Sequence, residues 1–433
     1  MDTTSASLSC PALMVAAPSS GQGKTTVVAA LARLHTRLGR KVRVFKCGPD
    51  FLDPQIHAIA SGAPCQNVDL WMCGEDDIRW RLAEAARTAD LILVEGVMGL
   101  FDGAPSAAEL ATRLGLPILA VIDGASMANS FGAIAYGLKH YRPGTPITAA
   151  FANRIGSPRH AELLEESLPP DIAWYGGLPR DVDSAMPERH LGLLPAAEIE
   201  GLAQRIDRMA DLLAPTAAAA LPPPVAFRDV PPPPIPPLLA GKTIAVARDA
   251  AYCFQYPANL DCLQRLGATL VYFSPLADAQ LPACDAVWLP GGYPELHGPA
   301  LTANRRLWKE LTEQVDAGKP VLAECGGMMS LFETLDDIDG QTYALGGLLP
   351  GRVRMQKRLA ALGMQEVDLP EGALRGHSFH YSNTETGLAP LCATRRADGR
   401  TGEAVYRRQR LTASYMHLYF PSNPEAVARL FLD

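Results

Sequence analysis

Proline placement limits this chain's folding more than any other feature. Between Leu221 and Ala240 the sequence reads LPPPVAFRDVPPPPIPPLLA, with nine prolines in twenty residues. Each proline fixes φ and removes an amide donor, so neither a helix interior nor a central strand can run through it. The composition predicts an extended, semi-rigid spacer over 221–240, with a surface loop inside one domain as the competing reading. A spacer there divides the 433 residues into domains at 1–220 and 241–433.

Both halves alternate short apolar runs with amphipathic stretches. In the first, PALMVAAP, KVRVFKCGPD, ADLILVEGV, LPILAVIDG and TPITAAFANR each end in Gly, Pro, Asp or Asn. TTVVAALARLHTRLGR and EDDIRWRLAEAARTA lie between them with helical spacing. The second half repeats the scheme with KTIAVARD, ATLVYFSP, DAVWLPGG and KPVLAECGG. Unbroken apolar strands separated by helices predict an α/β chain of two doubly wound domains, each built on a parallel sheet. Ligands in such sheets gather at the carboxyl ends of strands.

Charge and composition exclude several partners. The 39 basic and 46 acidic residues leave −7 with no basic arm, so nucleic acid is not expected. Glu95 interrupts LILVEGVMGLF, and no apolar run is long enough to span a bilayer. MDTTSASLSCPALMVAAP lacks the charged and apolar regions of an export signal, which predicts a cytoplasmic protein. Nine cysteines without a CxxC pair argue against a disulfide framework.

The first strand runs into Pro18-Ser19-Ser20-Gly21-Gln22-Gly23-Lys24-Thr25-Thr26, a phosphate-binding pattern in which Pro18 replaces the first glycine. Glycines there let backbone amides face phosphate oxygens, and the following helix adds positive potential. Lys24 would reach the β- and γ-phosphates, and the Thr25 hydroxyl would ligate Mg²⁺. Asp50 and Glu95, at the ends of the second and third strands, suit the hard cation, and Lys46 suits a transferring phosphoryl group. The structural alternatives are a helix cap for Asp50 and a buried ion pair for Glu95.

These residues carry a resemblance. APSSGQGKTT, FKCGPDFLDPQIH, EGVMGLFDG, ANRIGSPRH and PERHLGL together resemble the synthetase domain of the cobyrinic and hydrogenobyrinic acid a,c-diamide synthases. That domain is similar to dethiobiotin synthetase. The resemblance implies ATP and Mg²⁺ at Ser20, Gly21, Gln22, Gly23, Lys24, Thr25, Thr26 and Lys46, with Thr25, Asp50 and Glu95 around the metal. It also implies that Asn153 reads adenine.

In the second half, Glu324-Cys325-Gly326-Gly327 follows an apolar run and precedes a helix. Such a turn exposes a nucleophile, and a helix N-terminus favours the thiolate. A small buried thiol is the structural alternative. Gly291-Gly292, ending another strand, suits an oxyanion site shared with Gly326. The base candidate is His417 in SYMHLYFP, with His377 and His380 as competitors. This half resembles class I glutamine amidotransferase domains of the cobyric acid type, with Cys325 as nucleophile and His417 as its partner. Most class I domains continue His-x-Glu, whereas Tyr419 stands here, so something else must orient His417.

Together the halves imply ATP- and glutamine-dependent amidation of the a- and c-acetates of a corrinoid polycarboxylate. Ammonia would pass from the second half to the first. The partners implied are ATP, L-glutamine and the ring, without nucleic acid or membrane, and a homodimer stays open. Arg352, Arg354, Lys357 and Arg358, with Arg189 and His190, are candidates for the ring's carboxylates. Cobyric acid synthase is the nearest rival, and a partition-type ATPase with a degenerate glutaminase is a rival of another class.

Overall fold

The computed structural model describes residues 7–181, 188, 189 and 192–432. The chain divides into two compact units, up to Pro233 and from Pro234.

In the first unit the strands are β1 (Ser7–Ala16), β2 (Val42–Cys47), β3 (Gln66–Val68), β4 (Leu91–Glu95), β5 (Ile118–Asp123), β6 (Ile147–Ile155) and β7 (Ala173–Pro179). Their order is β3-β2-β4-β1-β5-β6-β7, all parallel. Successive residues of β1 and β4 are buried on both faces, as the unbroken apolar runs require. Helix α1 (Lys24–Arg37) packs Val27, Val28 and Leu31 into the core with Leu13, Val15, Leu93 and Leu119. Helix α2 (Asp53–Ser61) follows β2. A small hairpin joins β8 (Glu188–Arg189) to β9 (Gly192–Leu193).

The proline segment is not a spacer throughout. Strand β10 (Pro224–Arg228) pairs antiparallel with the first half of β1, from Ser7↔Arg228 to Pro11↔Pro224. Val225 and Phe227 alternate inward there, and Pro224 occupies the strand's first position, where a missing donor is tolerated. The Arg87–Asp229 ion pair fastens the residues that follow. The proline count hid the strand-forming VAFR within it.

The second unit contains β11 (Thr243–Ala247), β12 (Thr269–Phe273), β13 (Ala286–Leu289), β14 (Val321–Glu324), β15 (Phe332–Asp336), β16 (Thr342–Ala344) and β17 (Leu349–Met355). Then come β18 (Ala361–Leu369), β19 (Gly372–His380), β20 (Ser382–Glu385), β21 (Cys392–Arg396), β22 (Thr401–Arg408), β23 (Leu411–Ser414) and β24 (His417–Leu418). The main sheet runs β12-β11-β13-β14-β23-β22-β21-β18-β19-β24. From β12 to β23 it is parallel. Ala245, Val287 and Ala323 feed one core, and Ile244, Trp288 and Leu322 feed another, so alternate residues bury both faces. Beyond β23 the sheet turns antiparallel, an extension the strand–helix alternation did not foretell. It matters because β19 and β24 bring histidines to the nucleophile. Among the described residues, no helix is long and apolar enough to cross a membrane.

Candidate functional site

In the first unit β1 ends between β4 and β5, and the loop that follows curls over the carboxyl ends of its neighbours. Gly23 adopts a left-handed conformation (φ 94°) immediately before α1, a geometry that glycine reaches without strain. Lys24 is mostly buried, its Nζ donating to the carbonyls of Ser19 (3.1 Å) and Met98 (2.6 Å). Burial holds its pKa below the usual lysine value, opposed by the carboxylate of Glu95. Ser20 and Gly21 are exposed at the loop's crest, while Thr25 and Thr26 enter the helix.

Strand register sets Lys46 directly beside Glu95. Lys46 Nζ donates to Glu95 Oε1 at 2.8 Å and to Asp53 Oδ2 at 2.6 Å. The Thr25 hydroxyl donates to the same Glu95 oxygen at 2.9 Å, and His57 Nε2 bonds the other. Burial would lower the Lys46 pKa, but Asp53 and Glu95 hold it well above the usual range. Burial would likewise raise Glu95, and Lys46 with His57 hold it well below.

One oxygen of Asp50 is engaged by the backbone. Its Oδ1 accepts from the amides of Leu52 (2.7 Å) and Asp53 (3.2 Å), which caps the entry to α2. Asp53 and His57, missed in the sequence reading, contact Lys46 and Glu95 respectively. They lie four apart on α2 and hence on one helix face, and that spacing was the available signal. Asn153 reaches the loop, but its Nδ2 donates to the Gln22 carbonyl (2.9 Å) and its Oδ1 accepts from the Arg154 amide (3.0 Å). Reading a base would require exchanging those bonds.

In the second unit, β14 ends at Glu324 and Cys325 turns the chain into the short helix Gly326–Met329. Cys325 has φ 47° and ψ −110°, a strained setting for a side chain with a Cβ that costs about 1–3 kcal/mol and recurs at functional turns. Its amide is held by the Ser414 carbonyl at 2.7 Å, and the Gly326 N–H faces its sulfur. A Cβ on Gly326 would stand 2.9 Å from the Gly292 nitrogen, so the two glycine turns meet backbone to backbone. One on Gly291 would touch both His417 (3.0 Å from Nδ1) and Cys325 (3.3 Å from Cβ). Nucleophile, base candidate and both oxyanion candidates therefore converge.

The electrostatics correct one expectation. Burial, with Glu295 adding, pushes the Cys325 thiol well above its usual range, and a four-residue helix does not offset that. Burial also holds His417 well below the usual histidine value, with His377 and His380 adding to the effect. Burial thus favours the thiol and the neutral imidazole.

Glu324 is fully buried, accepting from Trp288 Nε1 (3.0 Å) and from the Leu418 amide (2.9 Å), and burial raises its pKa to about 8. Tyr419 is buried against Tyr256. His377 stacks on His417 with centroids 4.9 Å apart. His380 instead lies on the Tyr415 ring and faces Glu403 at 3.3 Å.

Of the proposed ring-binding residues, Arg352 and Arg354 are engaged in ion pairs. Arg352 pairs with Glu385 (2.9 Å), and Arg354 pairs with Asp336 (3.2 Å) and Glu385 (2.9 Å). Carboxylates on β15 and β20, the neighbours of β17, balance them, which one-dimensional spacing conceals. Lys357 and Arg358 are exposed just beyond β17. Arg189 lies in β8, and His190 lies outside the described residues.

Two family models match the chain. Residues 13–194 match the CobQ/CobB/MinD/ParA nucleotide binding domain, and 243–425 match the CobB/CobQ-like glutamine amidotransferase domain. A hydrogenobyrinate a,c-diamide synthase of Pseudomonas aeruginosa is 57% identical over 97% of each chain. One from Stutzerimonas stutzeri is 58% identical over 98% of this chain and 99% of its own. A cobyrinate a,c-diamide synthase of Herminiimonas arsenicoxydans is 47% identical over 97% and 96%.

Proposed function

The chain belongs to the cobyrinate and hydrogenobyrinate a,c-diamide synthase family, amidating ligases of cobalamin synthesis, and from that premise we propose how its two units divide the reaction. In the first, the Ser20–Thr26 amides and Lys24 bind the phosphates of ATP, and a ring acetate attacks the γ-phosphorus. The bond to ADP breaks as the acyl phosphate forms, and Lys24 and Lys46 balance charge on the moving group. ADP leaves, and ammonia then displaces phosphate to give the amide.

Among the described residues no cluster of three or more His, Cys, Asp and Glu forms a metal cage. Mg²⁺ on a nucleotide needs none, since it shares one or two carboxylates with phosphate oxygens. The hydroxyl of Thr25 and the carboxylates of Glu95 and Asp53 supply hard oxygen donors that fit it. When bound, the ion neutralises phosphate charge.

In the second unit His417 takes the Cys325 proton as sulfur attacks the glutamine side-chain amide. The Gly292 and Gly326 amides face the developing oxyanion. His417 returns the proton to the departing ammonia, leaving a thioester that water hydrolyses to glutamate. The convergence of Cys325 and His417 on the Gly291 turn carries this reading.

The test is Cys325→Ala, with product masses followed on cobalt-free and cobalt-bearing rings. Glutamine-driven amidation should vanish while ammonium-driven amidation persists. Equal loss of both would refute the assignment.

A further inference from the structure

Class I amidotransferases orient the catalytic histidine with a carboxylate two residues later, and here that position is Tyr419, turned away against Tyr256. We propose that His377 is the positioning residue that replaces this carboxylate, holding His417 by ring stacking rather than by a charged hydrogen bond. The inference rests on the reading of Cys325 and His417 as the glutaminase pair.

Four observations support it. Strands β19 and β24 are paired so that His377 and His417 stand directly opposite, where cross-strand side chains meet. Their rings lie 4.9 Å apart and only 18° from parallel. His377 is itself fixed, because its Nδ1 lies 2.9 Å from the Tyr256 hydroxyl and its ring is buried. Gly291 lies against the Cε1–Nδ1 edge of the His417 ring. The imidazole is therefore held by a stacked ring and by a backbone turn that also meets Cys325.

The chemistry differs from that of a carboxylate orienter. An adjacent carboxylate would raise the His417 pKa and favour imidazolium at rest. A neutral ring held over it instead excludes water and keeps it unprotonated, ready to take the thiol proton. The groups facing His417 are His377 and His380 on β19 and Cys325 after β14, while Glu324 binds the neighbouring Leu418 amide. Glu403 stands behind His380.

The experiment compares His377→Ala, His377→Asn and Tyr256→Phe in the full chain, with glutamine or ammonium chloride as nitrogen source. His377→Ala should lower glutamine-driven kcat about a hundredfold, the scale of a catalytic group misplaced by about 1 Å. KM for glutamine and the ammonium-driven rate should stay near wild type. Water entering beside His417 raises its pKa, so the acid limb of the glutaminase profile should move to higher pH. His377→Asn, which keeps a partner for Tyr256 but places no ring over His417, should recover none of the rate. Tyr256→Phe carries the test if position 377 tolerates no change, and its loss should be confined to glutamine-driven kcat.

An unchanged glutamine-driven kcat, an unmoved acid limb, or equal loss with ammonium would each overturn the proposal. Cys325→Ala separates the two levels. If it abolishes glutaminase while the His377 and Tyr256 variants do not, only the positioning role fails. If it spares glutaminase, the underlying reading fails.

Discussion

Replacing Gly291 with alanine tests the second site with a single methyl group. The new Cβ would stand 3.0 Å from His417 Nδ1 and 3.3 Å from Cys325 Cβ, and nearer still to His417 Cε1. Carbon atoms rest about 3.5–4 Å apart, so the imidazole must retreat by about 1 Å or more. The turn has little room to yield instead, because the Gly291 carbonyl accepts from the Phe254 amide at 3.0 Å. Overpacking of this kind typically costs about 1–3 kcal/mol of stability, which an α/β unit of this size should survive. Misplacing a catalytic group by about 1 Å costs about a hundredfold in rate. The assay is the ratio of glutamine-driven to ammonium-driven amidation on folded protein, expected to fall by about that factor. A wild-type ratio in a well-folded Gly291→Ala variant would refute the placement of His417 against Cys325.

Lys24→Ala should abolish amidation with either nitrogen source, because its ammonium serves phosphoryl transfer, which free ammonia cannot supply; near-normal product formation would sink the phosphate-loop assignment. Asp53→Asn should weaken the Mg²⁺ response of turnover, whereas Asp50→Ala should cost about 1 kcal/mol as a lost cap and leave that response intact. A Mg²⁺ titration paired with urea unfolding distinguishes the two, and the reverse pattern would restore Asp50 to the metal. Glu324, with its pKa raised to about 8 by burial, binds its proton more tightly folded than unfolded. Its stabilising contribution is complete at low pH and is lost as pH rises from the ordinary carboxylate range through about 8. Denaturant midpoints for the second unit should therefore fall between about pH 5 and 8, and Glu324→Gln should flatten that slope.

The parallel strands were legible because strands buried on both faces must be apolar without interruption, and β1, β4 and β14 are. The phosphate loop and the Cys325 turn were legible because a strand, a glycine turn and a helix are consecutive in sequence. Partners chosen by tertiary approach were not. Asp50 and Asp53 sit in the same motif, and only the phase of α2 decides which one meets Lys46. The antiparallel extension escaped because β18, β21 and β22 are largely half-exposed and short on apolar runs. With it escaped the register that sets His377 against His417. Composition misled once, when the prolines around Val225 and Phe227 concealed a strand.

The two sites also handle buried ionisable groups in opposite ways, and the difference follows from their chemistry. In the first unit Lys46, Asp53, Glu95 and His57 are packed in contact. Lys46 and Glu95 hold each other ionised against desolvation, while burial and the neighbouring Asp50 push the Asp53 carboxyl up. A phosphoryl group arriving with its own negative charge needs cations already in place. In the second unit Cys325, His377 and His417 are as deeply buried, and burial drives each toward its neutral form. There the first step moves a proton from sulfur to nitrogen and creates charge only as the substrate is attacked. Glutamine is neutral at the amide that reacts, so a neutral pair can admit it without prior charge to desolvate. An added carboxylate at position 419 would stabilise imidazolium before substrate arrives, and the aromatic wall of Tyr419, Tyr256 and His377 avoids that.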